Sequence, residues 1–159
     1  MKIIFFLVIF LGLLQGEILN TKIAPVENAT QFEGITLLDQ KILLFKKIGG
    51  LKFSEISDVA YDLEKKRLYL VSDEGKLFVF NASFSNKIET LNALSGVPLV
   101  KKDGQTFRKW RRDSEGLALD NKGQLYVSFE GRAKIGRFDQ KGRMVKQYTL
   151  PKKIGRAHV

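Results

Sequence analysis

The 159-residue sequence predicts an all-β chain built from four-stranded antiparallel units, and three observations carry that expectation. The first is self-similarity. Ala60, Asp62 and Phe80 recur as Ala118, Asp120 and Phe138, an offset of about 58 residues, which is the scale of repeated supersecondary units. The second is texture: short runs rich in Val, Ile, Leu, Tyr and Phe alternate with breaks at glycine, asparagine and aspartate, the pattern of strands and tight turns. The third is that no stretch beyond the N-terminal apolar run keeps the 3.6-residue period of an amphipathic helix. Four antiparallel strands per repeat make a propeller blade. An antiparallel sandwich is the rival architecture, but it requires no internal repeat.

Taken in order, the elements begin with a basic Met1-Lys2, an apolar run from Ile3 to Leu14, and then Gln15-Gly16-Glu17. This is the form of a secretory signal peptide, expected over residues 1–16 and cut after Gly16. The run is too short to cross about 30 Å of hydrocarbon, so no stable membrane span is expected once the leader is removed. A periplasmic or secreted location follows. Residues 17–33 are expected to be an extended lead-in. Ile35 to Leu38 and Ile42 to Phe45, with Asp39-Gln40 between them, predict a lead-in hairpin.

The first blade is expected to place strands at 57–62, 67–72, 76–83 and 87–93, with turns at 63–66, 73–75 and 84–86. A long connection from Ser95 to Asp113 follows. The second blade is expected at 115–120, 124–130, 134–139 and 145–150, with turns at 121–123, 132–133 and 140–142. Two blades do not close a ring of four to eight. Residues 34–153 are therefore read as the N-terminal part of a partial β-propeller whose C-terminal part is missing. The last six residues, Ile154-Gly155-Arg156-Ala157-His158-Val159, resemble one reading frame of a sequencing-adapter oligonucleotide and are expected to be a non-native tail.

Composition removes whole classes of chemistry. There is no cysteine, hence no disulfide, thiolate metal site or cysteine nucleophile within the chain. The one histidine is His158, next to the end, so a Ser-His-Asp triad would have to draw on that terminal residue and a two-histidine zinc site has no second histidine. Lys plus Arg number 27 against 17 Asp plus Glu, a formal charge of +10. Setting aside the leader and the tail removes only Lys2 and Arg156 and no acid, so the basic balance survives, with bases concentrated at 101–112.

Within this basic chain the acids mark strand ends. Glu55 and Asp58 open the first blade, Asp73-Glu74 ends its second strand, Asp113 and Glu115 open the second blade, and Glu130 ends its second strand. In a propeller the first strands surround the axis and strand-end loops gather on one face, so carboxylates from successive blades converge. Asp58, Asp73, Glu115 and Glu130 are the candidate metal ligands, and an all-oxygen set suits Ca²⁺. Crowded carboxylates equally supply a general acid or base, which makes Glu115 and Glu130 the catalytic candidates. Turn-making is the other duty of such residues, and Asp62 and Asp120, which precede turns in both copies, are read that way.

The connection carries Phe107-Arg108-Lys109-Trp110-Arg111-Arg112. Arg108, Arg111 and Arg112 are the candidate substrate-binding residues, since guanidinium forks match a small anionic substrate, phosphate groups included. Basic residues interleaved with an aromatic also serve single-stranded nucleic acid. Export argues against that partner, and a plain solvated loop is the remaining reading.

From Phe53 to Leu150 the sequence resembles the phytase-like family described by esterase-like activity of phytase. The resemblance runs through Glu55-Ile56-Ser57-Asp58-Val59-Ala60-Tyr61-Asp62 and Arg67-Leu68-Tyr69-Leu70-Val71-Ser72-Asp73-Glu74-Gly75. Its most specific part is Asp113-Ser114-Glu115-Gly116-Leu117-Ala118-Leu119, followed by Leu125-Tyr126-Val127-Ser128-Phe129-Glu130, Arg137-Phe138-Asp139 and Leu150-Pro151. The family often has Ser-Gly where this chain has Ser57-Asp58. The resemblance implies an exported propeller associated with phosphoester or ester hydrolysis. The chain has neither an Arg-His-Gly-x-Arg nor a His-Cys-x₅-Arg signature, so Ca²⁺-dependent hydrolysis by water is the expected chemistry. A non-catalytic propeller that binds a ligand or an envelope partner is the alternative.

Overall fold

The computed structural model describes residues 16–21, 31–32, 35–131 and 133–150. The expected leader up to residue 15, lead-in residues 22–30 and 33, and the tail at 154–159 lie outside them, as do Arg132 and the side chain of Trp110. Six short strands come first: β1 (Gly16–Asn20), β2 (Gln31–Phe32), β3 (Ile35–Thr36), β4 (Lys41–Phe45), β5 (Lys47–Ile48) and β6 (Leu51–Lys52). The first blade follows as β7 (Ile56–Asp62), β8 (Arg67–Ser72), β9 (Lys76–Phe84) and β10 (Ile88–Pro98). The second is β11 (Ser114–Leu119), β12 (Leu125–Phe129), β13 (Lys134–Phe138) and β14 (Met144–Tyr148). The chain is all-β, and each blade is a four-stranded antiparallel sheet whose strands are neighbours in sequence order. Among the described residues the one helical piece is a single 3₁₀ turn, Lys109–Arg111, and no helix is long and apolar enough to cross a membrane.

Turn chemistry closes the hairpins where expected. Asp62 accepts from the Lys65 amide, and Asp120 accepts from the amides of Lys122 and Gln124, so both are turn residues. Asp139 does the same for Lys141 and Arg143. These amide bonds hold the carboxyls of Asp62 and Asp120 below the usual range.

Two departures from the expected strands have local causes. The fourth strand of the first blade runs on to Pro98, pairing Ser95 with Val79 and Pro98 with Lys76, so the connection begins at Leu99 rather than Ser95. Register shifts between Ile88 and Thr90 and between Ala93 and Ser95 change the phase of the strand. An alternating pattern loses its period across such bulges. The lead-in hairpin is the second departure: β4 forms, but its partner is β1, while β3 pairs with β2. Asp39 does not turn the chain between β3 and β4. Its carboxylate accepts from the Gln40 amide and, at 2.9 Å, from the Ile88 amide at the start of β10. Tied to the first blade there, β4 lies open to β1.

The middle strands of the first blade, β8 and β9, are buried on both faces. Tyr69, Val71, Leu77 and Val79 pack on Leu125, Val127, Phe129 and Phe138 of the second blade. Phe78 and Phe80 point the other way, into Ile48, Phe45 and Phe53 of the lead-in strands. Phe53 meets Phe78 edge-on at 5.0 Å, and Phe45 meets Phe80 at 5.7 Å, the arrangement that ring quadrupoles favour. The lead-in strands thus cover the face that an earlier blade would cover. Their closest approach is at Gly96, where a Cβ would strike the Ile48 carbonyl and stand 2.9 Å from the Phe78 ring. The β5–β6 turn at Gly49-Gly50 has positive φ at both residues, 59° and 80°, which suits a two-residue hairpin of the favoured twist.

Candidate functional site

The two blades share one backbone device at the corner where their first and second strands meet. In the first, the Asp73 amide donates to the Glu55 carbonyl at 3.1 Å; in the second, the Glu130 amide donates to the Asp113 carbonyl at 2.9 Å. Each link joins the approach to the first strand with the residue just beyond the second. Repetition therefore places an acidic pair, Glu55 with Asp73 and Asp113 with Glu130, at the same corner of each blade. Glu55 reaches its position with φ at 56°, a left-handed conformation uncommon outside glycine.

A register shift follows in both blades: between Ile56 and Asp58 in the first, and between Ser114 and Gly116 in the second. The extra residue of a bulge takes no place in the ladder and its side chain is re-aimed. That residue is Ser57 in the first blade and Glu115 in the second. The bulge turns Glu115 toward the acidic pair of its own blade, and carboxylate oxygens of Asp113, Glu115 and Glu130 all lie within 4.8 Å of one another.

Crowding shows in the electrostatics. Loss of water at this corner, then the charges of Asp113, Glu130 and Asp73, push the Glu115 carboxyl above the ordinary glutamate value. Asp73 is near enough to act on Glu115 but does not join the three-residue group. Its Oδ1 is buried without a hydrogen-bond partner among the described residues, an exceptional state for a buried carboxylate oxygen. The donors are all hard oxygens. This set fits a hard divalent cation.

Asp58 is committed elsewhere. Its Oδ1 accepts from the Val59 amide and its Oδ2 from the Leu117 amide, both at 2.7 Å. The second bond joins β7 to β11, the neighbouring first strands of the two blades. Ser114 adds a parallel tie, its Oγ donating to the Ser72 carbonyl at 2.5 Å. Asp58→Ala leaves the amide of a buried leucine without its acceptor. The expected loss is about 1–3 kcal/mol of stability, measured by urea unfolding; a change below a few tenths would show that the blades are held without this bond.

The three arginines diverge. Arg112 lies 3.8 Å from Glu74, whose carboxyl is also bound by Lys76 and is lowered chiefly by that bond. Arg111 lines a separate cleft, and Arg108 is exposed ahead of the 3₁₀ turn. Of the sequence candidates, Glu115 and Glu130 are thus brought together, while Asp58 and Asp73 fall outside their group. Asp113 is the member that was read only as a strand opener. Its signal was the repeat, since it occupies the place of Glu55. Lys134 was missed too: it is 6% exposed, with Nζ 3.9 Å above the Phe129 ring and donating to the Arg111 carbonyl at 2.8 Å.

No curated protein and no solved structure gives a significant match to the chain. The family model for phytase-like proteins, described as esterase-like activity of phytase, matches residues 51–158. The match takes in both blades, the connection between them and the whole carboxylate corner. With that coverage, the chain belongs to the phytase-like family.

Proposed function

We propose that the chain forms part of an exported hydrolase that cleaves phosphoesters or esters of a small anionic substrate, with calcium held at the corner of the second blade. The single observation that carries this reading is the convergence of Asp113, Glu115 and Glu130 within 4.8 Å. Asp113, Glu115 and Glu130 would hold the cation, with Asp73 beside them. When bound, calcium supplies positive charge that polarises the oxygen of the scissile group.

The chain's own groups supply the proton transfers. In the metal-free chain Glu115 keeps its proton to higher pH than an ordinary glutamate; as a ligand to the cation it would be ionised and would share with Glu130 the role of base toward the attacking water. Glu130, on the neighbouring strand end, takes the proton of the attacking water and returns it to the leaving oxygen. Arg108 and Arg112 stand on the adjoining connection and attract an anionic substrate by charge, while Arg111 turns to a separate cleft.

The purified chain, assayed against inositol phosphates and aryl esters with calcium and with a chelator, is expected to show turnover that the chelator abolishes. Equal rates in the two conditions would overturn the calcium part of the reading. No turnover on either substrate class would overturn the hydrolase itself.

A further inference from the structure

A second concave site lies away from the carboxylate corner, between the 99–113 connection and β14. Its volume is about 610 Å³, within the usual range for small-molecule sites. Five cations line it, Lys101, Lys102, Arg111, Lys134 and Lys146, against one carboxylate, Asp103. None of the corner residues Asp113, Glu115 and Glu130 takes part in the lining.

The connection is held in place over the second blade, so the cleft is built rather than incidental. Val100 bridges both Thr106 and Arg143, and its amide donates to the Gly142 carbonyl at 2.8 Å. Phe107 packs on Phe129 at 5.4 Å and on Phe138 at 6.5 Å. The single acid is engaged in shaping the connection, since Asp103 accepts from the Gln105 amide at 2.9 Å. Lys134 is buried beneath the connection with Nζ above the Phe107 and Phe129 rings. Cations gathered in a concave space repel one another and focus a positive potential into it. An anion relieves that repulsion. Phe107, Met144 and Val145 add an apolar wall beside the charges.

The geometry points to a binding site for a phosphorylated small molecule whose phosphate groups meet the lysines and whose apolar or aromatic body lies on Phe107 and Met144. The site stands independently of the hydrolytic reading, because it shares no residue with the carboxylate corner and needs no calcium. A phosphate on a ring differs from inorganic phosphate in using both parts of the cleft.

Calorimetric titration of the full chain in chelator and low salt, with phenyl phosphate, ADP and inorganic phosphate as probes, tests this. Phenyl phosphate and ADP are expected to bind saturably, at least tenfold tighter than inorganic phosphate, and to weaken as salt rises. The Lys102→Gln/Lys146→Gln double variant changes two exposed side chains and is expected to lose at least tenfold in phenyl phosphate affinity at an unchanged melting temperature. Absence of saturable binding, or equal affinity in parent and variant, would overturn the site. Equal affinity for phenyl phosphate and inorganic phosphate would overturn the role of the apolar wall. Turnover plays no part in the readout, so failure here is separate from failure of the calcium site.

Discussion

Glu115→Gln is expected to cut turnover by about 10²–10⁴-fold, the contribution of a positioned acid–base carboxylate, while making the calcium-free protein more stable at neutral pH. The two effects have one origin. Partial loss of water and the charges of Asp113, Glu130 and Asp73 act on Glu115, so the folded chain holds its proton more tightly than the unfolded chain does. A carboxyl raised in this way favours folding while protonated, and stability falls as pH rises through and above the ordinary carboxylate range. At neutral pH the ionised side chain is a burden that glutamine lacks. Below the carboxylate range the parent is protonated and the advantage of the variant closes. Asp39, Asp62 and Asp120 run the other way: their carboxyls are lowered, so their support is present at neutral pH and lost as pH falls below the ordinary value.

Calcium is expected to reverse the ranking. A cation bound to the folded chain at a hundred times its dissociation constant adds about 2.7 kcal/mol. The parent is expected to gain that stability, and the variant to gain less. Thermal unfolding in chelator and in calcium, from pH 4 to 8, reads all of this in one series. A variant less stable than the parent in chelator at neutral pH would show that Glu115 is held by contacts rather than burdened by repulsion.

Phe78→Ala carries the largest expected cost in stability. The side chain is fully buried, with the Phe53 ring edge-on at 5.0 Å and the backbone of Gly96 close against it. Removing a buried aromatic costs about 3–5 kcal/mol, a large share of the roughly 5–15 kcal/mol that holds a typical domain. The loss should appear as a lower urea midpoint with unchanged slope, because the lead-in strands and the first blade share one core. A loss below about 1 kcal/mol would mean that the lead-in strands open separately from the blade.

The blades were legible in the sequence because their strands obey simple rules. On β12 and β13 buried and part-buried residues alternate strictly, and Asp-initiated turns close the hairpins around them. The β9 segment Leu77-Phe78-Val79-Phe80 read as an unbroken apolar run because both its faces are covered, one by the second blade and one by the lead-in strands. The end of β10 was hidden by its bulges. The pairing of β4 with β1 was hidden because Asp39 spends its carboxylate on Ile88, a partner remote in sequence. At the site, strand-end acids were visible one by one, but a bulge that re-aims Glu115 leaves no mark in composition. Asp58 and Glu115 looked equivalent as strand-opening acids. They differ because Asp58 sits in the ladder opposite Val71 and reaches Leu117, whereas Glu115 stands outside the ladder.

The paired bulges also bear on how such a corner gains or loses its chemistry over generations. Residues 57 and 115 occupy the same backbone feature, yet one is serine and the other glutamate. A residue outside the ladder makes none of its pairing hydrogen bonds, so exchanging its side chain is expected to cost strand pairing little. The first blade already carries Glu55 and Asp73 at the matching corner. A single codon change at position 57 would complete a second acidic triad there, and a single change at 115 would retire the first. Both changes are expected to leave the ladder in place, so the acidic corner can move from one blade to the other within one fold.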